Sequence, residues 1–373
     1  MTKKSIYLFI GSCLLFSSCF KDEAPNAECD IEQVFVHIDG PENVFFNATD
    51  TLKNVPYTDS TIVFSVRHGA DLTALAPMFK TTPGATVLPQ SGSVHDFSTS
   101  AVTYTVTSED GMWQRKYKIS FVPFVSSIDF SFENYELEPK AKKYYIWHDD
   151  LSNGNSWSNG NEGFALSMSS AKPEDYPSVP LKNGRTGAGL QLITRDTGPF
   201  GAWANKRLAA GNFFLGSFDS NKAVTNPLAS TRFGVPFDQP PLSFKGYYQY
   251  TPGARYQDVN GTIVPNKTDS AAIYAVLYRN HDDAGVAVTL DGSNIKTSEL
   301  IVAMAELKDI KTTDSWTLFN VAFEYSAQID KQLLKNNGYS LAIVFSSSKD
   351  GDRFEGAIGS KLLIDDIQVI CEK

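Results

Sequence analysis

The sequence predicts an all-β protein of two sandwiches, a small one followed by a larger double-sheet jelly roll. Three observations carry that prediction. Short runs rich in β-branched and aromatic residues recur along the chain, separated by Gly, Pro, Asn and Asp. No long amphipathic helical pattern interrupts them. Aromatic residues make up 12 % of the 373 residues, with 25 Phe, 16 Tyr and 5 Trp, a supply of large rings suited to filling the space between packed sheets.

Residues 29–122 contain the runs "VFVHI", "TIVFSV", "AVTYTVTS" and "RKYKISFV". The Asp110-Gly111 step in "SEDGMW" is a strong hairpin signal, so this region reads as one small sandwich. Pro123 in "FVPFVSS" breaks the pattern and marks a seam. From 125 to 371 the runs "KGYYQY", "AAIYAVLYR", "SWTLFNVAFEY", "YSLAIVFSSS" and "KLLIDDIQVI" alternate with long polar connections, the layout of a jelly-roll β-sandwich. Two stretches suit helix: 326–338, with Gly338 as its stop, and the turn-rich "SSAKPEDY". The stretch "DLTALAPMFKTTPGATVLPQSGSVHDFS" resembles the immunoglobulin-like modules that precede a working domain in surface lipoproteins. That resemblance implies a spacer role for the N-terminal immunoglobulin-like sandwich.

The chain opens with Lys3 and Lys4, an apolar run "SIYLFIGSCLLF" and Ser17-Ser18 ahead of Cys19. A basic segment, a short apolar core and small residues at the cut make a secretion signal. The apolar run falls short of the about 20 residues a membrane-spanning helix needs. It resembles a bacterial lipoprotein signal, which implies removal of residues 1–18 and acylation of Cys19. Residues 19–28 then form a tether, and its "FKDE" resembles the acidic tag that sends lipoproteins of anaerobic Gram-negative gut bacteria to the cell surface. The implied location is the outer membrane, exposed to the outside. An ordinary signal peptide that happens to contain cysteines is the alternative.

With 33 basic against 42 acidic residues the net charge is −9, and loss of Lys3 and Lys4 with the leader makes it more acidic still. That balance disfavours nucleic acid and anionic membrane surfaces as partners. Of four cysteines, Cys29 and Cys371 lie outside the signal and anchor and have the option of pairing in an oxidising compartment. Clustered Cys/His spacing of a zinc site is absent.

The stretch "YYIWHDDLSNGNSWSNGNEGF" holds Trp147, Trp157 and Asn161 among amides, hydroxyls and carboxylates. Sugar recognition uses flat rings that stack on the C–H face of a pyranose and polar groups that bond its hydroxyls. These three residues are therefore ligand-binding candidates, with core filling as the alternative for the tryptophans. Trp203 in "GPFGAW" is either a loop contact or a lid on the core. In "KGYYQYTPG", Gly246, Tyr248 and Tyr250 share one strand face and Tyr247 and Gln249 the other. One face is core; Lys245 and Tyr248 are the candidates for meeting sugar hydroxyls, and the pattern leaves the choice of face open. Glu133 on the first strand of the larger domain and Asp365 on its last are candidates for a structural calcium, which wants 6 to 8 oxygens. Hydrogen bonding at a sheet end is the alternative, and no cofactor is required. Asp350 and Asp352 in "KDGDRFE" read as a tight turn.

In order, "DFSFENYE", "YYIWHDD", "SWSNGNEGF", "GPFGAWANKRLAAGNFFLGSF", "GVPFDQPPLSFKGYYQYTPG", "SELIVAMAEL" and "SSSKDGDRFEGAIGSKLLIDDIQV" resemble the family called "putative carbohydrate metabolism domain", found in bacterial surface lipoproteins. The resemblance spans 125–371 and implies a jelly roll associated with glycan use. It favours a surface glycan-binding protein, or a glycoside hydrolase working through two carboxylates, over a structural or adhesive surface component. Glu133, Glu136, Asp149, Asp150, Glu162, Asp269 and Glu355 are the acids such a pair would be drawn from, and linear spacing selects none of them. Acylation anchors through buried methylenes, so Cys19→Ala is expected to move the protein from the membrane to the soluble fraction of lysed cells. Continued membrane association of that variant would show that Cys19 is not the anchor.

Overall fold

The computed structural model describes residues 24–45, 47–67, 69–123, 125–148 and 156–372. Cys19, Asp149 and Asp150 lie outside the described residues. The chain divides into two compact units between Pro123 and Phe124.

The first unit is an immunoglobulin-like sandwich. One sheet orders Leu52–Asn54, Ile31–Val36 and Pro77–Thr81; the other orders Thr61–Val66, Gln114–Pro123, Val102–Thr107 and Thr86–Leu88. Thr61–Val66 buries every second residue, as its alternating sequence requires, and pairs in parallel with Gln114–Pro123. Phe64 and Phe121 thereby meet at a ring-centroid distance of 5.0 Å in the core. Asp30 fastens the sandwich by accepting from Arg115 at 2.5 Å and from the Tyr117 hydroxyl at 2.8 Å. The Asp110-Gly111 step forms the expected hairpin, with Gly111 at φ 69°.

The second unit is the larger jelly-roll β-sandwich. Its six-stranded sheet runs Ser178–Leu181, Gly189–Ile193, Lys361–Glu372, Pro241–Thr251 and Thr313–Ala322, with Val125–Phe130 also paired to Lys361–Glu372. The first and last strands are thus neighbours. The eight-stranded sheet runs Trp157–Ser158, Asn212–Phe218, Tyr339–Ser346, Ala272–Arg279, Ile301–Glu306 and Glu324–Tyr325, with two short strands added at its side. Between the sheets lies one large core. Phe244, Tyr248, Leu362 and Ile364 come from one sheet, and Phe213, Leu277, Ile343 and Phe345 from the other.

Helix is scarce, as expected. Within the 326–338 stretch only Lys331–Lys335 is helical, because Asp330 caps it by accepting from Gln332 N and Leu333 N. It ends at Asn337 in the left-handed region, one residue before Gly338. "SSAKPEDY" supplies only the 3-10 turn Pro173–Asp175. Two helices were not expected from the sequence: Asn161–Ser167 and Gly198–Trp203. Cys29 and Cys371 are both free thiols. Burial, with Asp238 adding to it, pushes the Cys371 thiol up to about 12.

A buried polar network ties strand ends together inside the jelly roll. Asp269 accepts from Ser348 Oγ at 2.5 Å, Ala357 N at 2.7 Å, Ser360 Oγ at 2.7 Å and Ser270 N at 2.8 Å. Removing the acceptor strands buried donors, so Asp269→Ala is expected to cost about 3 kcal/mol or more. The exposed Asp129→Ala should stay within about 0.5 kcal/mol. Urea unfolding midpoints of the two variants provide the check.

Candidate functional site

The eight-stranded sheet is apolar on both faces. Along Ala272–Arg279, Ile273, Ala275 and Leu277 point into the main core, while Tyr274, Val276 and Tyr278 join a second cluster on the far face. Tyr339–Ser346 repeats the pattern, with Ala342 and Val344 on the far face. Helices, loops and turns cover that far face, and between them and the sheet lies a groove of about 440 Å³. Phe214, Tyr274 and Val344 form the floor. The walls come from the helices Asn161–Ser167 and Gly198–Trp203, the loops 223–231 and 292–297, and the turn 349–354. A groove of this size and largely apolar lining is the usual form of a small-ligand site.

Local sequence explains the walls. A Cβ at Gly201 would sit 2.0 Å from Thr197 Oγ1 and 2.7 Å from the Lys206 carbonyl. Only glycine lets the 198–203 helix close so tightly on the chain that follows it. That helix carries Phe200, which lines the groove, and beside it Trp203, which is 80 % exposed. Their ring centroids are 6.0 Å apart with planes tilted by 34°. The pair forms an aromatic platform at the rim.

The charged groups of the lining are three lysines and one acid among the described residues: Lys206, Lys296, Lys349 and Asp352. Lys296 Nζ lies 2.5 Å from Glu306 Oε1 and 4.4 Å from the centre of the Tyr274 ring. Burial, reinforced by the Asp352 and Glu306 charges, holds the Tyr274 phenol well above its usual range. Asp352 is exposed as a residue, yet crowding of its carboxyl by the groove wall raises its pKa. Its neighbour Asp350 behaves oppositely. Burial alone would raise it, but hydrogen bonds from Tyr256, Arg353 and Lys267 outweigh that and hold it low. Asp350 therefore anchors the turn as the buried acceptor of Tyr256 Oη at 2.7 Å, as the turn reading of "KDGDRFE" requires.

Most of the residues singled out from sequence lie elsewhere. Trp147 and Trp157 are buried in the main core, 4.9 Å and 4.8 Å from the Phe213 ring centre. Both fill the sandwich, which corrects the expectation of a sugar-facing pair. Asn161 is fully buried; it donates to Ser178 O at 2.7 Å and accepts from Ser178 N at 3.1 Å. It pins a helix start to a strand, so its amide is spent on backbone. Tyr248 is on the core face of Pro241–Thr251, its hydroxyl accepting from Lys311 N at 3.3 Å. Lys245 and Tyr247 take the outer face of the six-stranded sheet, where Arg185 stacks 3.8 Å above the Tyr247 ring. Neither Lys245 nor Tyr248 reaches the groove. Trp203 alone of the six sits beside it.

The calcium candidates serve the backbone. Asp365 is buried and its Oδ2 accepts from Arg185 N at 2.6 Å and Thr186 N at 3.1 Å. Glu133 accepts from Ala188 N through both oxygens at 2.9 Å. Cβ atoms at Gly184 and Gly187 would fall 2.4 Å from Asp365 Oδ2 and 2.2 Å from Glu133 Oε1, so the 184–188 turn is moulded around the two carboxylates. A cation there would have to displace N–H donors already in place. Among the described residues no three His, Cys, Asp or Glu side chains group as metal ligands. The N–H donors around Glu133 and Asp365 fit the sheet-end alternative.

Of the remaining described acids, Glu162 lies on the wall helix Asn161–Ser167 without being part of the lining, and the others are engaged elsewhere. Glu136 lies 2.9 Å from His148, Glu355 3.3 Å from the Tyr256 hydroxyl, and Asp269 is in the buried network. Sequence reasoning missed Phe200, Tyr274, Lys349 and Asp352. The signal for Tyr274 was present: "AAIYAVLYR" is apolar without alternation, which marks a strand covered on both faces.

The family described as "Putative carbohydrate metabolism domain" matches residues 131–370, and that described as "SGBP, N-terminal", the N-terminal domain of surface glycan-binding proteins, matches residues 43–120. A protein of Bacteroides thetaiotaomicron described as a "putative glycoside hydrolase" is 39 % identical, over 95 % of this chain and 99 % of its own, with a TM-score of 0.62. A protein of Bacteroides vulgatus with the same description is 42 % identical, over 65 % of this chain and 97 % of its own, with a TM-score of 0.60. Among curated proteins none matches.

The raised Asp352 pKa has a signed consequence. The folded protein keeps this proton to higher pH than the unfolded chain, so stability falls as pH rises from 3.8 through the folded value. Asp352→Asn is expected to remove that fall, raising the urea midpoint at pH 7 relative to wild type while leaving pH 3 unchanged. An equal gain at both pH values would point to packing instead.

Proposed function

The chain belongs to the "putative carbohydrate metabolism domain" family, and from that premise we propose that it is a surface-anchored lipoprotein that captures a glycan in the groove on the far face of its eight-stranded sheet. The observation that carries the reading is the exposed Phe200–Trp203 platform at the rim of an apolar groove. A tryptophan that is 80 % exposed on a short, tightly closed helix adds nothing to the core. It offers a flat ring to a pyranose face, and along the lining the Thr297 hydroxyl and the amide nitrogen of Asn212, whose Oδ1 accepts from Gly160 N, offer groups for sugar hydroxyls. The immunoglobulin-like unit then spaces the jelly roll from an acylated Cys19.

A hydrolytic reading is favoured by one feature, the raised pKa of Asp352, which suits a proton donor, and by the description of the two Bacteroides proteins. Two-carboxylate hydrolysis needs acids about 5 to 9.5 Å apart across the bond cleaved. Asp352 is the one acid in the described lining. Binding is therefore the better-supported reading.

Affinity electrophoresis of the purified protein through a panel of polysaccharides, with reducing-end release measured in parallel, separates the two. Retardation without product, lost by about tenfold in Kd in Trp203→Ala and retained in Lys245→Ala, is the expected result. Product release abolished by Asp352→Asn would establish hydrolysis. Absence of both retardation and product across the panel would overturn the glycan reading.

A further inference from the structure

We propose that the glycan taken by this groove is an acidic one, carrying carboxylate or sulfate groups that meet Lys206 and Lys349. The inference rests on the glycan-capture reading above and deepens it. Over the whole chain acids outnumber bases by 42 to 33. In the described groove lining the balance reverses, with three lysines against one acid. The lining thus has the opposite charge balance from the chain as a whole, and with Lys296 paired to Glu306 two lysines remain against one acid.

The three lysines are not equivalent. Lys296 is neutralised by Glu306 at 2.5 Å and is held over the Tyr274 ring. Lys206 has no carboxylate partner among the described residues; its Nζ reaches the Ala204 carbonyl at 3.4 Å and stands 5.5 Å from the centre of the Phe354 ring. Lys349 is exposed, and its ammonium makes no ion pair or hydrogen bond among the described residues. Phe354 and Lys349 belong to the same 349–354 wall, and Gly351 of that wall packs against Ala210, close along the chain from Lys206. Lys206 and Lys349 thus both line the groove, from adjoining pieces of its wall. Next to apolar lining their attraction for an anion is screened less than on open surface. Sugar stacking on Phe200 and Trp203 is indifferent to charge, so the lysines supply what the platform lacks: discrimination between acidic and neutral chains.

The test uses the full chain and two matched pairs of polymers: polygalacturonate against its methyl-esterified form, and dextran sulfate against dextran. Retardation by a charged member and little or none by its neutral partner is expected. The pair that responds distinguishes carboxylate from sulfate. Lys206→Ala and Lys349→Ala should each weaken binding about fivefold to tenfold, and raising salt from 50 to 500 mM should weaken it further. Lys116→Ala, on the exposed surface of the N-terminal unit, should change nothing. Equal retardation by charged and neutral members, unaffected by the lysine variants but lost in Trp203→Ala, would overturn the acidic preference and leave glycan capture standing. Binding to charged polymer that survives both lysine changes would place the anion site elsewhere and overturn the assignment. Loss of all binding, charged and neutral, in the unmodified protein would sink both readings.

Discussion

The constraint on which the jelly roll depends is that its eight-stranded sheet is apolar on both sides. Tyr339–Ser346 is buried along nearly its whole length. One side packs against the six-stranded sheet in the usual way of a sandwich. The other presents Phe214, Tyr274, Val276, Tyr278 and Val344, each worth about 1.5–3 kcal/mol when shielded from water. The chain must therefore cover this face, and it does so with short helices, 3-10 turns and loops rather than a third sheet. Such pieces bury the face from several directions and leave a groove between them. The groove is what remains, so the demand for burial that folds the domain also creates the candidate site.

A second constraint shapes the opposite sheet. Inward residues of Lys361–Glu372 are Leu362 and Ile364, then Ile367, Val369 and Cys371. The parity changes across Asp365 and Asp366, where Asp366 takes φ 49° and the register with Pro241–Thr251 shifts. This is a bulge, and it lets one strand serve two successive partners along the same edge: Gly189–Ile193 before it and Val125–Phe130 after it. The break between those partners leaves backbone N–H groups of the 184–188 turn to be satisfied. Glu133 and Asp365 satisfy them. Carboxylates at a sheet junction thus accept the hydrogen bonds that a bulge leaves open.

How far the sequence discloses these arrangements depends on whether the signal is local. The strands of the N-terminal sandwich are legible because alternation in "TIVFSV" and the Asp110-Gly111 turn are properties of a few adjacent residues. The adjacency of the first and last jelly-roll strands is legible from the fold class. The site is much less so. Trp147 and Trp157 sit among amides and glycines, which resembles a recognition loop; what decides their burial is Phe213, more than fifty residues away in the chain and stacked on Trp157. The face of "KGYYQY" is decided by pairing with Lys361–Glu372 and by the core beneath it. Lys206, Lys349 and Asp352 carry no local signal at all, because a groove is assembled by segments distant in sequence. For Trp203 the sequence left a loop contact and a lid on the core open, and only the structure shows the ring to be 80 % exposed.

The division of labour among the tryptophans follows from the same physics. In the core, the indole nitrogens of Trp147 and Trp157 have no hydrogen-bond partner among the described residues, and the rings fill volume. Trp203 forgoes burial altogether. An exposed indole is a standing cost in hydration that the fold does not recover, and it persists on a helix whose closure demands a glycine at 201. The uncompensated ammonium groups of Lys206 and Lys349 belong to the same argument. Hydrophobic and charged groups left without partners inside one depression are mismatched with water and with each other, but they complement an amphipathic chain that has apolar C–H faces and anionic substituents. On the proposed reading no strong single contact is needed, since apolar lining lowers the screening of each charge and the aromatic pair would hold the sugar beside it. What the fold leaves unsatisfied is therefore the best guide to what the groove accepts.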